Sequence, residues 1–246
     1  MESAILIMGN KKFRRLPITK LGKIKGILTV TDILRAISKV GLPNAFDELI
    51  SDWMTHEPKT SNDNMLILDA VKMMSDGNFG SLLIINEETM TLKGIMTERD
   101  VLMRYKDKTM DKKLCDIDPS HLAKGMVKVE LSKTLEEVIN VMTKNKVHRV
   151  LTEENGQING ILTANDITQL CSREREELIH NPNFLKSVTA QFISTSNLTT
   201  IDINNSIADC VELMAKYNIG SLPVTSDGEV VGIFTERDYL HIIAGK

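Results

Sequence analysis

Apolar positions recur along this chain at helical spacing, then at strand spacing, four times over. Ile67, Ala70, Val71 and Met74 fall at i, i+3, i+4 and i+7, one stripe down one side of a helix. The same spacing joins Leu135, Val138, Ile139 and Met142, then Ile207, Cys210, Val211 and Met214, and at the start Met1, Ala4, Ile5 and Met8. Ten residues after the third member of each stripe comes a short β-rich anchor. The anchors are RLP at 15–17, SLL at 81–83, RVL at 149–151 and SLP at 221–223. A second apolar run follows across a turn. In the last copy LPVT and VVGIF flank SDGE, which predicts a hairpin.

Each second run closes on glycine, threonine three residues later and aspartate three beyond that. The four closings are GILTVTD at 26–32, GIMTERD at 94–100, GILTAND at 160–166 and GIFTERD at 232–238. Their aspartates are 68, 66 and 72 residues apart. Anchor to aspartate is 17 residues in repeats one, three and four and 19 in repeat two, whose two extra residues fall in NEETMTLK and predict a longer hairpin loop. Three anchors in register four times establish an internal repeat. Each unit reads as β-α-β-β-α, an α/β chain of the α+β type, with a second helix such as DYLHII at 238–243. The repeats span 1–41, 51–106, 114–171 and 188–244. A unit this small buries little surface alone and should pair with a neighbour. Repeat one lacks the first strand, because Met1 already sits on its helix; this removes an N-cap and leaves a sheet edge able to pair with another chain. Residues 39–50, 107–124 and 172–187 remain as linkers, the last charged and predicting a polar helical stretch.

Composition narrows the function. A 42% hydrophobic, 26% charged chain is ordinary for a globular protein, and AILIM at 4–8 is too short to span a bilayer and lacks signal-peptide flanks. The reading is cytoplasmic, without a membrane partner. Cys115, Cys171 and Cys210 are odd in number and far apart, which implies no disulfide framework. Neither CxxC nor HExxH occurs, so no metal site is assigned. A net charge of −3 and 4% aromatics argue against a nucleic-acid binder. With no P-loop and no nucleophile–base pair, an enzyme ranks last, and neither catalytic residues nor a catalytic cofactor are assigned. Trp53 and the methionines read as packing.

Thr-x-x-Asp before an apolar run is first of all a capping arrangement. The threonine hydroxyl takes a first-turn N–H, and the aspartate favours the positive end of the helix dipole. The same geometry also suits a ligand. Helix N-termini attract phosphate, and an accessible aspartate there can accept hydrogen bonds from vicinal ribose hydroxyls. Cations divide the repeats: Arg99 and Arg237 occur only in the even copies, whereas the odd copies carry Arg14-Arg15 and His148-Arg149 beside the anchor.

The fourfold β-α-β-β-α pattern closing on G-h-x-T-x-x-D resembles the cystathionine-β-synthase (CBS) domain, over nearly the whole chain. Two such domains normally pack as a pseudo-twofold pair, the Bateman module, so the resemblance implies four CBS repeats in two modules. Four tandem copies also resemble the nucleotide-sensing γ regulatory subunit of AMP-activated protein kinase. The resemblance implies ribose ligands at Asp32, Asp100, Asp166 and Asp238, with Thr29, Thr97, Thr163 and Thr235 on ribose or phosphate. Phosphate contacts fall on Arg99 and Arg237 and on Arg14, Arg15, His148 and Arg149, with the stronger sites at Asp100 and Asp238. Adenine would lie along the first extended segments, Lys59-Thr60-Ser61, Val127-Lys128-Val129 and Thr199-Thr200-Ile201. The implied protein is a non-catalytic sensor of AMP, ADP or ATP as regulatory ligand, signalling to an effector protein. Its assembly is either one intramolecular disc or a homodimer through the incomplete first repeat. The alternatives are a structural or oligomerisation module with vestigial sites, and a sensor of S-adenosylmethionine or a dinucleotide.

Overall fold

The computed structural model describes residues 1–106, 112–123 and 126–246. Repeat one runs α1 (Glu2–Lys11), β1 (Arg15–Lys20), β2 (Lys23–Thr29) and α2 (Val30–Val40), followed by the short α3 (Asn44–Asp47). Repeat two follows with β3 (Thr55–His56), β4 (Thr60–Asn62), α4 (Ile67–Asp76), β5 (Ser81–Ile85), β6 (Leu92–Thr97) and α5 (Glu98–Tyr105). After α6 (Pro119–Ala123), repeat three comprises β7 (Lys128–Glu130), α7 (Leu135–Asn145), β8 (Arg149–Glu154), β9 (Gln157–Thr163) and α8 (Ala164–Arg173). The connection onward holds α9 (Arg175–His180), α10 (Phe184–Ser187) and α11 (Ala190–Ile193). Repeat four closes the chain with β10 (Thr195–Ser196), β11 (Ile201–Asp202), α12 (Ile207–Tyr217), β12 (Ser221–Ser226), β13 (Glu229–Thr235) and α13 (Glu236–Ala244).

The hairpins repeat one another in detail. β5–β6, β8–β9 and β12–β13 are antiparallel, each with a register shift at the equivalent place, and β4, β7 and β11 add parallel to β5, β8 and β12. In repeat one, β1 has no parallel neighbour among the described residues, so its sheet is β1-β2-β3. The extra residues of repeat two lie in the loop between Ile85 and Leu92, where the Asn86 N–H donates to the Thr91 carbonyl at 2.9 Å.

Two compact units result. One comprises Met1–Ile18, Lys25–Glu57 and Val127–Leu198; the other comprises Thr19–Ile24, Pro58–Met126 and Thr199–Lys246. The partners are therefore alternate repeats, one with three and two with four, where the sequence suggested neighbours. Helix faces decide this: α1 packs on α8 and α2 on α7 in the first unit, and α4 packs on α13 in the second. The α1–α8 approach is close because Gly9 presents no side chain to Thr168 and Ser172; a Cβ there would lie 2.8 Å from the Thr168 carbonyl oxygen. One continuous apolar core fills the first unit, whereas the second has two clusters, one around α12 and β12–β13, the other around α4.

Three of the four predicted stripes are buried throughout. In the fourth, Ala70, Val71 and Met74 are buried but Ile67 is 40% exposed, and Leu66 and Leu68 beside it are exposed too. Trp53 is buried, donates from Nε1 to Glu48 at 2.8 Å and carries Arg35 and Lys39 over its ring. No helix among the described residues is long and apolar enough to cross a membrane.

Candidate functional site

All four Thr-x-x-Asp pairs build the same local object. Thr29, Thr97, Thr163 and Thr235 are extended residues at the N-caps of α2, α5, α8 and α13. Each threonine N–H donates to Oδ2 of its aspartate at 2.7–2.8 Å. Each hydroxyl donates to that same oxygen at 2.6–2.7 Å and accepts the aspartate N–H at 3.3–3.4 Å. This reciprocal box satisfies first-turn donors and places a carboxylate at the positive end of the helix.

The second carboxylate oxygen separates the copies. At Asp100, Asp166 and Asp238 the Oδ1 atoms take no protein partner among the described residues, with Asp100 exposed and the other two half-buried. At Asp32, Oδ1 receives Arg35 at 3.0 Å, and the side chain is 8% exposed. Arg35 is itself fixed by donating to the Trp53 carbonyl at 2.7 Å. Asp166 differs electrostatically as well. Burial pushes its carboxyl above the ordinary aspartate value, against the opposing hydrogen bonds from Thr163 and the positive charge of Lys12.

Arg99 and Arg237 meet partners that sequence reasoning missed. Arg99 Nε donates to Glu236, and Arg237 Nε donates to Glu98 at 2.7 Å. Each arginine's Nη1 continues to an asparagine, Asn218 for Arg99 and Asn78 for Arg237. Both asparagines hold positive φ, three residues before a strand. The two GI-TERD copies thus join within the second unit by reciprocal ion pairs between α5 and α13. Glu98 and Glu236 are 5% and 1% exposed, so these are charge-assisted bonds to nearly dry carboxylates. The signal was present in the sequence: glutamate recurs beside arginine in the even copies and in neither odd one.

The odd-copy cations Arg14, Arg15, His148 and Arg149 belong to the first unit, with Asp32 and Asp166. Arg149 is buried and its guanidinium lies 2.6 Å from the His148 ring. Of the proposed adenine segments, Thr60-Ser61 lies in β4, Lys128-Val129 in β7 and Ile201 in β11, with Lys59, Val127, Thr199 and Thr200 leading into those strands.

A protein-family model of the CBS domain matches residues 1–39, 50–107, 119–173 and 190–245. Protein MJ1225 of Methanocaldococcus jannaschii is 25% identical over 99% of this chain and 92% of its own. Its crystal structure, described as that of a candidate archaeal homologue of the AMP-activated kinase γ subunit, superposes with a TM-score of 0.85 over 98% of this chain and 92% of that one. A 33.4 kDa protein from the ribosomal RNA operon of Thermofilum pendens is 23% identical over 96% of this chain and 82% of its own. The bovine 5'-AMP-activated protein kinase subunit gamma-3 is 26% identical over 126 residues, 49% of this chain and 25% of that one.

Proposed function

The chain belongs to the CBS-domain family, and from that premise we propose that it is a non-catalytic regulatory sensor of adenosine-containing ligands, with AMP, ADP and ATP first. The observation that carries this reading is the open Oδ1 of Asp100, Asp166 and Asp238. In each, Oδ2 is held by threonine, which fixes the carboxylate and leaves its other oxygen to accept ribose hydroxyls. Asp32 is outside this set, since Arg35 already fills its Oδ1. Likeness to MJ1225 and to the kinase subunit supports the same direction.

Arg99 and Arg237 contact phosphate in this reading only by exchanging Glu236 and Glu98, so phosphate binding loosens the crossed pairs. Arg14, Arg15, His148 and Arg149 supply the remaining phosphate contacts, and Lys59-Thr60-Ser61, Val127-Lys128-Val129 and Thr199-Thr200-Ile201 the adenine contacts. The competing reading, a structural module with vestigial sites, draws on those same ion pairs and caps, which satisfy the motif without a ligand.

A thermal-shift series with AMP, ADP, ATP, S-adenosylmethionine and NAD separates the two. A ligand at 100-fold excess over its dissociation constant stabilises the fold by about 2.7 kcal/mol. Asp100→Ala and Asp238→Ala each remove part of that shift, and the double variant removes most of it. No shift with any of the five, or an unchanged shift in the double variant, sinks the sensor reading at these sites.

A further inference from the structure

Repeats one and three are offset by 134 residues, as Thr29 and Thr163 or Asp32 and Asp166 show, and both belong to the first unit. Their helices pack in matching pairs: α1 lies on α8, and the counterparts α7 and α2 lie on each other. At the α1–α8 end the chain supplies its own cation. Arg175, two residues past the end of α8, donates from Nε to Glu2 in the first turn of α1. The residues at the same positions of the α7–α2 pair are Glu136 and Gly41. The carboxylate is kept there and the arginine is not.

The place of the missing side chain is open. Gly41 holds φ 74° and ψ 169°, backbone that favours glycine, and a Cβ on it would meet nothing within 4 Å among the described residues. A pocket of about 330 Å³ lies here between α2, α7 and α10. Ile37, Leu42, Ile139 and Leu185 line it and are buried. Its polar lining includes Ser38 and Asn140, which are joined by a hydrogen bond of 2.6 Å, and Glu136. The ammonium of Lys186 stands 3.9 Å from the Glu136 carboxylate, beyond hydrogen-bond length, and the two side chains are 56% and 48% exposed. So loose and wet a pair is easily exchanged.

We propose that this pocket binds an alkylguanidinium cation, the equivalent of the Arg175 side chain supplied from outside the chain. The head pairs with Glu136 as Arg175 pairs with Glu2, and the aliphatic stem lies against Ile37, Leu42 and Ile139. A planar guanidinium offers a carboxylate two parallel N–H donors, which a lysine ammonium cannot match, so the ligand displaces Lys186. The volume is at the small end for ligand pockets, which suits a ligand of this size. The site is at the opposite end of α2 from Thr29 and Asp32, and it stands independently of the nucleotide reading.

Agmatine is the probe, titrated into the full chain and followed by two-dimensional amide NMR. Butylammonium and guanidinium chloride at equal concentration are the controls. Saturable shifts are expected in the amides of residues 38–42, 136–140 and 183–186. Glu136→Gln weakens binding by about tenfold. Glu136 takes no part in the Thr134–Glu137 capping box, so this variant keeps the cap of α7. Lys186→Ala tightens binding by about threefold, because it removes the competitor for Glu136. Free arginine and a capped Gly-Arg-Gly peptide then separate the sources: the tighter of the two assigns the pocket to a metabolite or to an arginine side chain of a protein. Absence of a saturable shift in these amides, unchanged affinity in Glu136→Gln, or an equal response to either control overturns the proposal. Failure of Lys186→Ala to tighten binding overturns it as well.

Discussion

Burial holds the Asp166 carboxyl protonated to higher pH than in the unfolded chain. Between the ordinary aspartate value of 3.8 and the raised native one, the folded state binds more protons, so this group's contribution to stability falls as pH rises through that window. Asp166→Asn is expected to abolish that slope, measured as unfolding free energy against pH; an unchanged slope would refute the assignment. Burial likewise pushes the Cys171 and Cys210 thiols up to about 12, while Cys115 is exposed. Since the thiolate is the nucleophile, brief iodoacetamide treatment should label Cys115 alone in the native protein and all three after denaturation, read by mass spectrometry. Arg99→Ala strips the nearly dry Glu236 of its guanidinium and should destabilise by about 3 kcal/mol in denaturant titration. That is the low end for a broken buried pair, because Arg99 is 22% exposed. A cost near zero would mean that the pair contributes nothing to stability. The Thr–Asp boxes were legible in the sequence because both partners sit three residues apart. The recurrent Glu-Arg marked Glu98 and Glu236, but their crossed pairing was not legible, because the arginines they meet lie 139 and 137 residues away.

The first helices of repeats two, three and four differ most at their opening residue. Thr134 and Ser206 cap α7 and α12 in reciprocal boxes with Glu137 and Asp209, whereas α4 begins at Leu66 with no side-chain cap. Asp69 already stands at the third helical position, so Leu66→Ser rebuilds the box of repeat four and should raise stability by about 1 kcal/mol. No gain in the unfolding midpoint would show that the cap is not what α4 lacks. Periodicity identified these helices correctly because a stripe is a property of one helix alone. It overstated Ile67 because burial of a stripe's first residue depends on what lies over the helix end, and that cover comes from residues distant in sequence. The same locality explains the stretches read as linkers. Short elements in and beside them, such as the four-residue α10 and α11 and the two-residue β10, have no period to detect.

Pairing of alternate repeats was not legible at all, since four near-copies offer several combinations and only the fit of helix faces selects among them. The two units should also differ in cooperativity. A single continuous core in the first opens as one body, while the two clusters of the second let part of it open separately. Native-state hydrogen exchange should therefore give amides of α4 and β5 a lower opening free energy than those of α7 and β8. Equal values in both sets would mean that the split core has no consequence. The crossed ion pairs of the second unit bear on how such a chain changes over generations. A contact that maps onto itself when its two halves are exchanged makes each copy the template for the other. A substitution at Glu98 alters the surroundings of Arg237, and one at Glu236 those of Arg99. The two letters between threonine and aspartate are Glu-Arg in both even copies. In the odd copies, which hold no such pair among the described residues, they differ: Val30-Thr31 in one and Ala164-Asn165 in the other. The four segments share one pattern, and reciprocal contact ties two of them into one structural unit.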